Sequence, residues 1–483
     1  MGEPAGLPVE PLPPLLPESE LPGAAVAVYG LGIEGRDLAR YLRGRGARVT
    51  AFDTRPAEAV AEAIAELEAL GCETCTGEAP APSLAARFAA LYASQSVLLH
   101  RDPFAGAFVA TGKPISSMLR EFLRRWPGPT LGVTGSSGKT TTTSLIAAMF
   151  AAAGVPHIVG GNLGAPLLAQ LTRGEAGVWA VLEISHTQLQ LFETPLNVAV
   201  VTNVTPNHLD QFSWEGYVRL KQRLVRPLRP TAVAVLNAND PVSYTFRTLT
   251  AARVRPFAAR PAETPAMYSI VDDWIVERAT GERVLQRDEI PLRGAHNLEN
   301  VLAALAAARA AGLPLEACVR AIRSFAPVPH RLEHVATIAG IAWYNDSIAT
   351  APERTLAAIR AFDRGERLIL LLGGREKKLP LSELVRACAE RCRAVILFGE
   401  AEPVFAAAFA AEPAAATLPV VRAGTLADAV EEAGKRAQPG DIVLLSPAGT
   451  SFDAYANFER RGEEFRALVH RRATTTPATE TRL

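Results

Sequence analysis

The stretch from Leu131 to Thr143, L-G-V-T-G-S-S-G-K-T-T-T-T, constrains the fold more than any other part of the chain. Its apolar lead (Thr130, Leu131, Val133) predicts the end of a strand. Gly135 and Gly138 then permit a tight turn, and Ser144, Leu145, Ile146, Met149 and Phe150 continue a helix after Lys139. Strand, glycine turn, lysine, hydroxyl and helix together make a phosphate cradle, in which backbone N–H groups and a helix N-terminus converge on an anion. Gly135, Ser136, Ser137, Gly138, Lys139, Thr140 and Thr141 are therefore the candidate triphosphate site. Lys139 would reach the terminal phosphates and the Thr140 hydroxyl would reach magnesium. The form is the shorter T-G-x-x-G-K-T, since Val133 stands where the common pattern has its first glycine. The flanking strand and helix signals favour nucleotide binding over a chance turn in a loop.

A chain of 483 residues has room for two to four domains. Lys plus Arg and Asp plus Glu each total 50, so no global basic field draws nucleic acid or an anionic membrane. No run approaches the roughly 18 apolar residues of a membrane span. Residues 1–23 are acidic and proline-rich, with neither a basic start nor an apolar core, and are expected to be a disordered lead rather than a signal peptide. The five cysteines, including Cys72 and Cys75 in one C-x-x-C and Cys388 and Cys392 a helical turn apart, form no disulfide framework and fit a reducing cytoplasm.

Three α/β domains are expected. The first, 24–129, opens with a strand at Ala24 to Gly30, the turn G-L-G-I-E-G and a helix to about Arg43. A second strand, Arg48 to Phe52, leads into Asp53-Thr54-Arg55. Alone, this is a dinucleotide fingerprint, and it raises a rival reading as a nicotinamide or flavin oxidoreductase. Val97 to Phe104 reads as strand then loop. The central domain, 130–327, alternates strands (Trp179–Ile184, Val198–Val204, Ala232–Leu236) with helices, which predicts a largely parallel sheet with ligands at the carboxyl ends of its strands. Glu183, Ser185 and His186 end one strand, Asn203, Asn207, His208 and Asp210 follow the next, and Asn237, Asn239 and Asp240 follow the third. A helix from Asn297 to Ala311 closes the domain. Pro327-Val328-Pro329 reads as a linker to a third domain, 328–483, with strands at Ala342–Tyr344, Arg367–Leu372, Ala394–Phe398 and Ile442–Leu445. The fold class is thus α/β, with a Rossmann-like domain, a P-loop ATPase-type parallel sheet domain and a second Rossmann-like domain.

Glu183 and His208 follow strands expected to neighbour the phosphate strand, which suggests magnesium ligation; histidine is an uncommon magnesium ligand, so His208 can equally be a loop hydrogen bonder. Lys221, four residues after Tyr217 on a helix, is by spacing an ordinary solvated lysine. Asn297 and Asn300 open a helix, where capping is the bland role. Arg331, just past the linker, could stabilise phosphate charge.

T-G-S-S-G-K-T, N-V-T-P-N-H-L-D, G-A-H-N-L-E-N, P-H-R-L-E and Y-N-D-S-I-A-T occur in the order of the motifs of the Mur ligases, the ATP-dependent amino acid ligases of peptidoglycan synthesis, and the chain resembles that family from about Gly30 to Phe465. L-L-L-G-G-R-E-K-K and L-L-S-P-A-G-T-S-F-D-A-Y-A-N-F-E-R-R-G-E-E-F resemble its branch that adds D-glutamate to UDP-N-acetylmuramoyl-L-alanine. The resemblance implies a monomeric cytoplasmic enzyme with one domain for the UDP-sugar, one for ATP and one for the amino acid. It reassigns Gly32 and Ile33 to the UDP diphosphate and Asp53, Thr54 and Arg55 to uracil, with Asn162, Ser185 and His208 near the reacting carboxylate. It further implies Lys139 and Thr140 on ATP and magnesium, Glu183 and His208 on a second magnesium, and Lys221 as a carbamylated lysine whose anion steadies the metal. Asn297, Asn300, Arg331 and Asp346 match nucleotide-binding positions, and Thr350, Lys377, Ser451 and Phe452 match those around D-glutamate.

The implied chemistry passes the ATP γ-phosphoryl group to the alanyl carboxylate and then lets the D-glutamate amine displace phosphate. Three departures stand out. Ser185-His186-Thr187-Gln188 stands where the family has S-S-F-Q, Ile348 replaces a frequent lysine, and the S-P-G loop of the first domain is lacking, with His100-Arg101-Asp102-Pro103 in that region. A folylpolyglutamate synthase-like ligase, the oxidoreductase and a non-catalytic paralogue remain the alternatives.

Overall fold

The computed structural model describes residues 7–163, 166–260, 266–326, 329–362 and 365–475. Of the expected linker, Pro327 and Val328 lie outside the described residues. The chain forms two compact units, Met1–Ile290 with Glu299–Phe325, and Pro291–Leu298 with Ala326–Leu483.

The first unit carries two sheets. One contains β1 (Ala25–Tyr29), β2 (Arg48–Asp53), β3 (Glu73–Thr76), β4 (Ala90–Ala93) and β5 (Ile115–Ser116), ordered β3-β2-β1-β4-β5 and parallel throughout. This is the doubly wound order, in which the chain reverses direction beside β1 and leaves a crevice at the strands' carboxyl ends. Alternation along β1 explains its burial: Val26 and Val28 pack with Leu38 and Leu42 of the helix Ile33–Gly44, while Ala27 and Tyr29 face Phe88 and Phe104.

The second sheet comprises β6 (Thr130–Thr134), β7 (His157–Gly161), β8 (Trp179–Glu183), β9 (Val198–Val201), β10 (Val233–Asn237), β11 (Arg253–Ala258), β12 (Tyr268–Val271), β13 (Trp274–Glu277) and β14 (Glu282–Gln286). Its order is β14-β13-β12-β11-β10-β9-β6-β8-β7. β6 is fully buried between β8 and β9, with Val133 opposite Glu183 and Thr134 opposite Val201. The strands from β7 to β12 run parallel, and β12, β13 and β14 add an antiparallel meander that the sequence reading did not anticipate.

The second unit holds β15 (Glu333–Ile338), β16 (Ile341–Asn345), β17 (Leu368–Gly373), β18 (Cys392–Phe398), β19 (Val420–Gly424) and β20 (Ile442–Ala448), ordered β15-β16-β20-β17-β18-β19. Only β15 pairs antiparallel. Both faces are covered: Leu370, Leu372 and Leu444 pack on one side, Ile369, Leu371, Val443 and Leu445 on the other. Strands buried on two faces read as continuous apolar runs, which is why L-I-L-L-L and I-V-L-L were legible.

Two expectations differ from the structure. From residue 7 the lead is ordered, not disordered: Leu16 and Leu21 are buried, Ile115 N–H donates to Pro14 O, and Arg120 donates to Pro13 O. Its two buried leucines and the bonds its backbone makes to Ile115, Arg120 and Arg223 hold it in place, although most of its other residues are exposed or half-buried. The segment Val97–Phe104 is loop then helix rather than strand then loop, because the Asp102 side chain accepts from Ala105 N–H and Pro103 starts the helix Pro103–Ala110. The strand of that region is β4, which has already ended at Ala93.

Candidate active site

The phosphate turn lies between β6 and the helix Lys139–Ala152. Two of its glycines are required by space. A Cβ on Gly135 would lie 1.9 Å from Thr202 Oγ1, and one on Gly138, at φ +80°, would lie 2.1 Å from Asn300 Oδ1. Neighbouring loops hold the turn open: Ser136 N–H donates to Asn203 O at 2.9 Å, Ser137 N–H to Asn203 Oδ1 at 2.9 Å, and the Tyr217 hydroxyl to Ser136 Oγ at 3.1 Å. Lys139 curls over the turn, its Nζ 3.0 Å from Gly135 O and 3.2 Å from Ser136 O. Thr140 and Thr141 lie in the first helical turn, and Asn300 reaches it through Thr142 Oγ1 at 3.3 Å.

Glu183 ends β8, beside the turn. Its Oε1 accepts from Asn162 Nδ2 at 2.6 Å, and Asn162 N–H donates to Glu183 O at 2.8 Å. Its Oε2 is buried without a hydrogen-bond partner. A buried carboxylate oxygen left unpaired is costly unless a cation or donor joins it, and Glu183 sits at the same end of the sheet as the phosphate turn. This donor chemistry fits magnesium, which takes one or two carboxylates and completes its shell with phosphate oxygens and water. Among the described residues no three His, Cys, Asp or Glu side chains gather into a metal-binding group, so any metal here depends on such partial ligation.

Lys221, on the helix Trp214–Gln222, is not the solvated lysine its spacing suggested. It is fully buried, and its Nζ donates to Thr134 Oγ1 and to Gly135 O, each at 3.0 Å. Burial, and then the charge of Lys139, hold its amine well below the usual lysine range, against a smaller opposing pull from Glu183. His208 adopts φ +54°, and its ring stacks on His186 with centroids 3.8 Å apart. His186 also packs against the rings of Phe212 and Tyr217. Burial keeps it neutral, with its pKa lowered to about 3, while Gln211 Oε1 lies 2.9 Å from Nε2.

In the first sheet Asp53 ends β2 and ties the glycine turn. Its Oδ2 accepts from Leu31 N–H at 2.7 Å, and Arg55 donates to both carboxylate oxygens. Burial opposes ionisation, but these bonds outweigh it and hold the carboxyl at about 2. Gly32 precedes the helix, Ile33 is exposed, and Thr54 is exposed beside Asp53. The loop facing this turn is Ser94-Gln95-Ser96 at the end of β4, not His100–Pro103: Ser94 Oγ and Ser96 Oγ pair at 2.7 Å beside Gly30. The sequence reading missed these residues because β4 has only four residues and no turn signal follows it. Ser185 Oγ donates to Gln95 Oε1 at 3.1 Å, which brings the two loops together.

The unit boundary falls in the first turns of the helix Ala295–Ala310, so Asn300 counts with the first unit and Asn297 with the second, where its Nδ2 donates to Arg293 O at 2.7 Å. Within the second unit Arg331 lies near His296, whose pKa burial and that charge lower to about 4. Asp346 follows β16 and accepts from Ser446 Oγ at 2.8 Å and Leu332 N–H at 3.2 Å. Thr350 and Lys377 meet at 3.3 Å. Arg375 and Thr450 exchange backbone bonds of 2.9 and 2.8 Å, which joins the G-G-R-E-K-K loop to the loop bearing buried Ser451 and exposed Phe452. Arg461, which carried no expected role, is buried in the same place and donates to the carbonyls of Ser347, Gly449 and Thr450.

Family models match two parts of the chain: the Mur ligase middle domain over residues 133–308, and the Mur ligase glutamate ligase domain over residues 330–449. The UDP-N-acetylmuramoylalanine–D-glutamate ligase of Symbiobacterium thermophilum is 41% identical over 448 residues, covering 92% of this chain and 97% of the relative. That of Acidobacterium capsulatum is 39% identical over 456 residues, covering 93% and 97%. Among solved structures, the UDP-N-acetylmuramate–alanine ligase of Thermotoga maritima shares the fold at TM-score 0.58 and 16% identity, over 94% of this chain and all of that one. The D-alanyl-D-alanyl-adding ligase of Acinetobacter baumannii aligns at TM-score 0.57 and 17% identity, over 88% and 90%.

Proposed function

The chain belongs to the Mur ligase family, whose members are ATP-dependent, magnesium-using ligases, and from that premise we propose that it joins D-glutamate to UDP-N-acetylmuramoyl-L-alanine in the cytoplasm, as a monomer. The observation that carries this reading is the gathering of a buried lysine and a buried, half-satisfied carboxylate at one phosphate turn. The choice of amino acid follows the D-glutamate-adding relatives matched over nearly their whole length.

In this reading the first sheet is the UDP-sugar domain, with Gly32, Ile33, Asp53, Thr54 and Arg55 on the nucleotide; the second sheet is the ATP domain; and residues 328–483 form the amino acid domain. The turn from Gly135 to Thr141 binds the triphosphate, and Lys139 neutralises its outer charge. Asn297, Asn300, Arg331 and Asp346 hold the rest of the nucleotide. Asn162 and Ser185 orient the alanyl carboxylate of the acceptor. Its oxygen attacks the γ-phosphorus, ADP leaves, and an acyl phosphate results. The D-glutamate amine, positioned by Thr350, Lys377, Ser451 and Phe452, then attacks the acyl carbon, loses a proton and expels phosphate to leave the amide. Positioning and charge neutralisation supply most of the rate.

Two magnesium ions would be held by Thr140, Glu183, His208 and a carbamylated Lys221. When bound they neutralise charge on the phosphoryl oxygens. The carbamate forms when the neutral Lys221 amine adds to the carbon of carbon dioxide and releases one proton. Burial supports it by disfavouring the ammonium form. The test is phosphate release with ATP and the UDP-muramoyl-alanine acceptor, offering D-glutamate, L-alanine or a diamino acid in turn. Release dependent on D-glutamate is expected; equal release with all three, or with none, overturns the reading.

A further inference from the structure

Glu34 is an acid inside the glycine turn G-L-G-I-E-G, where a charge opposes any diphosphate the turn would hold. The structure turns it inward. Glu34 is 7% exposed; its Oε1 accepts from Gln188 Nε2 at 2.6 Å and its Oε2 from Gln95 N–H at 2.7 Å. Gln188 Oε1 in turn accepts from Ser185 N–H at 3.1 Å, and Gln188 N–H donates to Ser185 Oγ at 3.1 Å. Ser185 Oγ donates to Gln95 Oε1 at 3.1 Å and closes the ring. These four residues span the seam between the first sheet and the loop that follows Glu183.

The Ser185 hydroxyl also pairs with Thr187 Oγ1 at 3.0 Å, and within this network the orientation of Gln188 is dictated. An ionised carboxylate only accepts, so Gln188 must turn its amide NH2 toward Glu34 and its carbonyl toward Ser185 N–H. With a neutral amide in place of Glu34 the orientation of Gln188 is no longer dictated, and one of its two flips sets a donor against the Ser185 N–H. We propose that Glu34 is a positioning residue: acting through Gln188 and Gln95, it fixes the Ser185 hydroxyl where the acceptor carboxylate reacts. This rests on the placement of Ser185 beside that carboxylate proposed above.

An exchange of the two side chains tests it. Glu34→Gln breaks the donor–acceptor matching. Gln188→Glu sets two carboxylates face to face. Together they restore it. The amide introduced at position 34 can accept from Gln95 N–H and donate to the carboxylate introduced at position 188, which also accepts from Ser185 N–H. With phosphate release as the assay, each single variant should lose about tenfold to a hundredfold in kcat, the scale of misplaced reacting groups, with the KM for ATP unchanged. The double variant should recover most of the loss. Melting temperatures report folding alongside; if one single variant does not fold, the other against the double still decides. A Glu34→Gln enzyme with wild-type kcat, or a double variant no better than the singles, overturns the proposal. Wild-type turnover in the same assay separates that failure from failure of the functional reading, in which the wild type itself would be inactive.

Discussion

The Nζ of Lys221 lies 3.0 Å from the hydroxyl of Thr134, across 87 residues of sequence and at the carboxyl end of the strand that carries the phosphate turn. A fully buried amine bonded to a hydroxyl and a carbonyl rather than to a carboxylate is expensive as a mere structural group. Lys221→Ala should therefore reduce turnover at least about a hundredfold, the scale of removing one preorganised charge from a transition state, and added formate or acetate should restore part of it. Phosphate release with and without the small carboxylate checks this; a fully active variant removes Lys221 from the site.

Gly138→Ala is expected to abolish ATP binding. The left-handed backbone costs a non-glycine residue about 1–2 kcal/mol, and the new methyl would strike Asn300 Oδ1. Adding Asn300→Ala removes the collision but leaves the strain, so calorimetry should show at most partial recovery of affinity in the double variant.

Asp346 makes the stability of the second unit depend on pH. Burial raises its carboxyl to about 7, against bonds from Ser446 and Leu332 and the charge of Arg331. A carboxyl with a folded pKa above its unfolded value binds its proton more tightly in the native state. Stability is therefore fullest below the unfolded pKa and falls as pH rises through the window to about 7. Asp346→Asn should flatten that dependence and raise the melting midpoint at pH 8 while lowering activity. A midpoint at pH 8 that drops on substitution would contradict the assignment.

Lys377 contacts Thr350, and in the proposed amino acid site its cation would face the carboxylates of D-glutamate. Lys377→Met should raise the KM for D-glutamate about tenfold or more and leave the KM for ATP near its original value. Steady-state kinetics with each substrate varied in turn would show an unchanged D-glutamate KM if the lysine has no such role.

Motifs made of consecutive residues were legible because their geometry is local. The strand, turn and helix around Gly135 to Thr141 follow from glycine freedom and helix signals within one stretch, and the apolar runs of β6, β17 and β20 declare strands buried on both faces. Ser94-Gln95-Ser96 were not legible, since a four-residue strand with no turn signal gives too little periodicity to detect. The meander of β12 to β14 was missed because its strands are only four or five residues long, although Asp272, Asp273 and Gly281 mark its turns.

Sequence by itself determined the α/β class, the phosphate turn and the order of the motifs, because each depends on neighbours a few residues away. Tertiary structure alone decided that Lys221 is buried rather than solvated, that His186 stacks on His208, and that Glu34 turns inward to Gln188. Those facts depend on contacts between residues 22 to 154 positions apart, and burial and charge pairing at that range are set only once the sheets have formed.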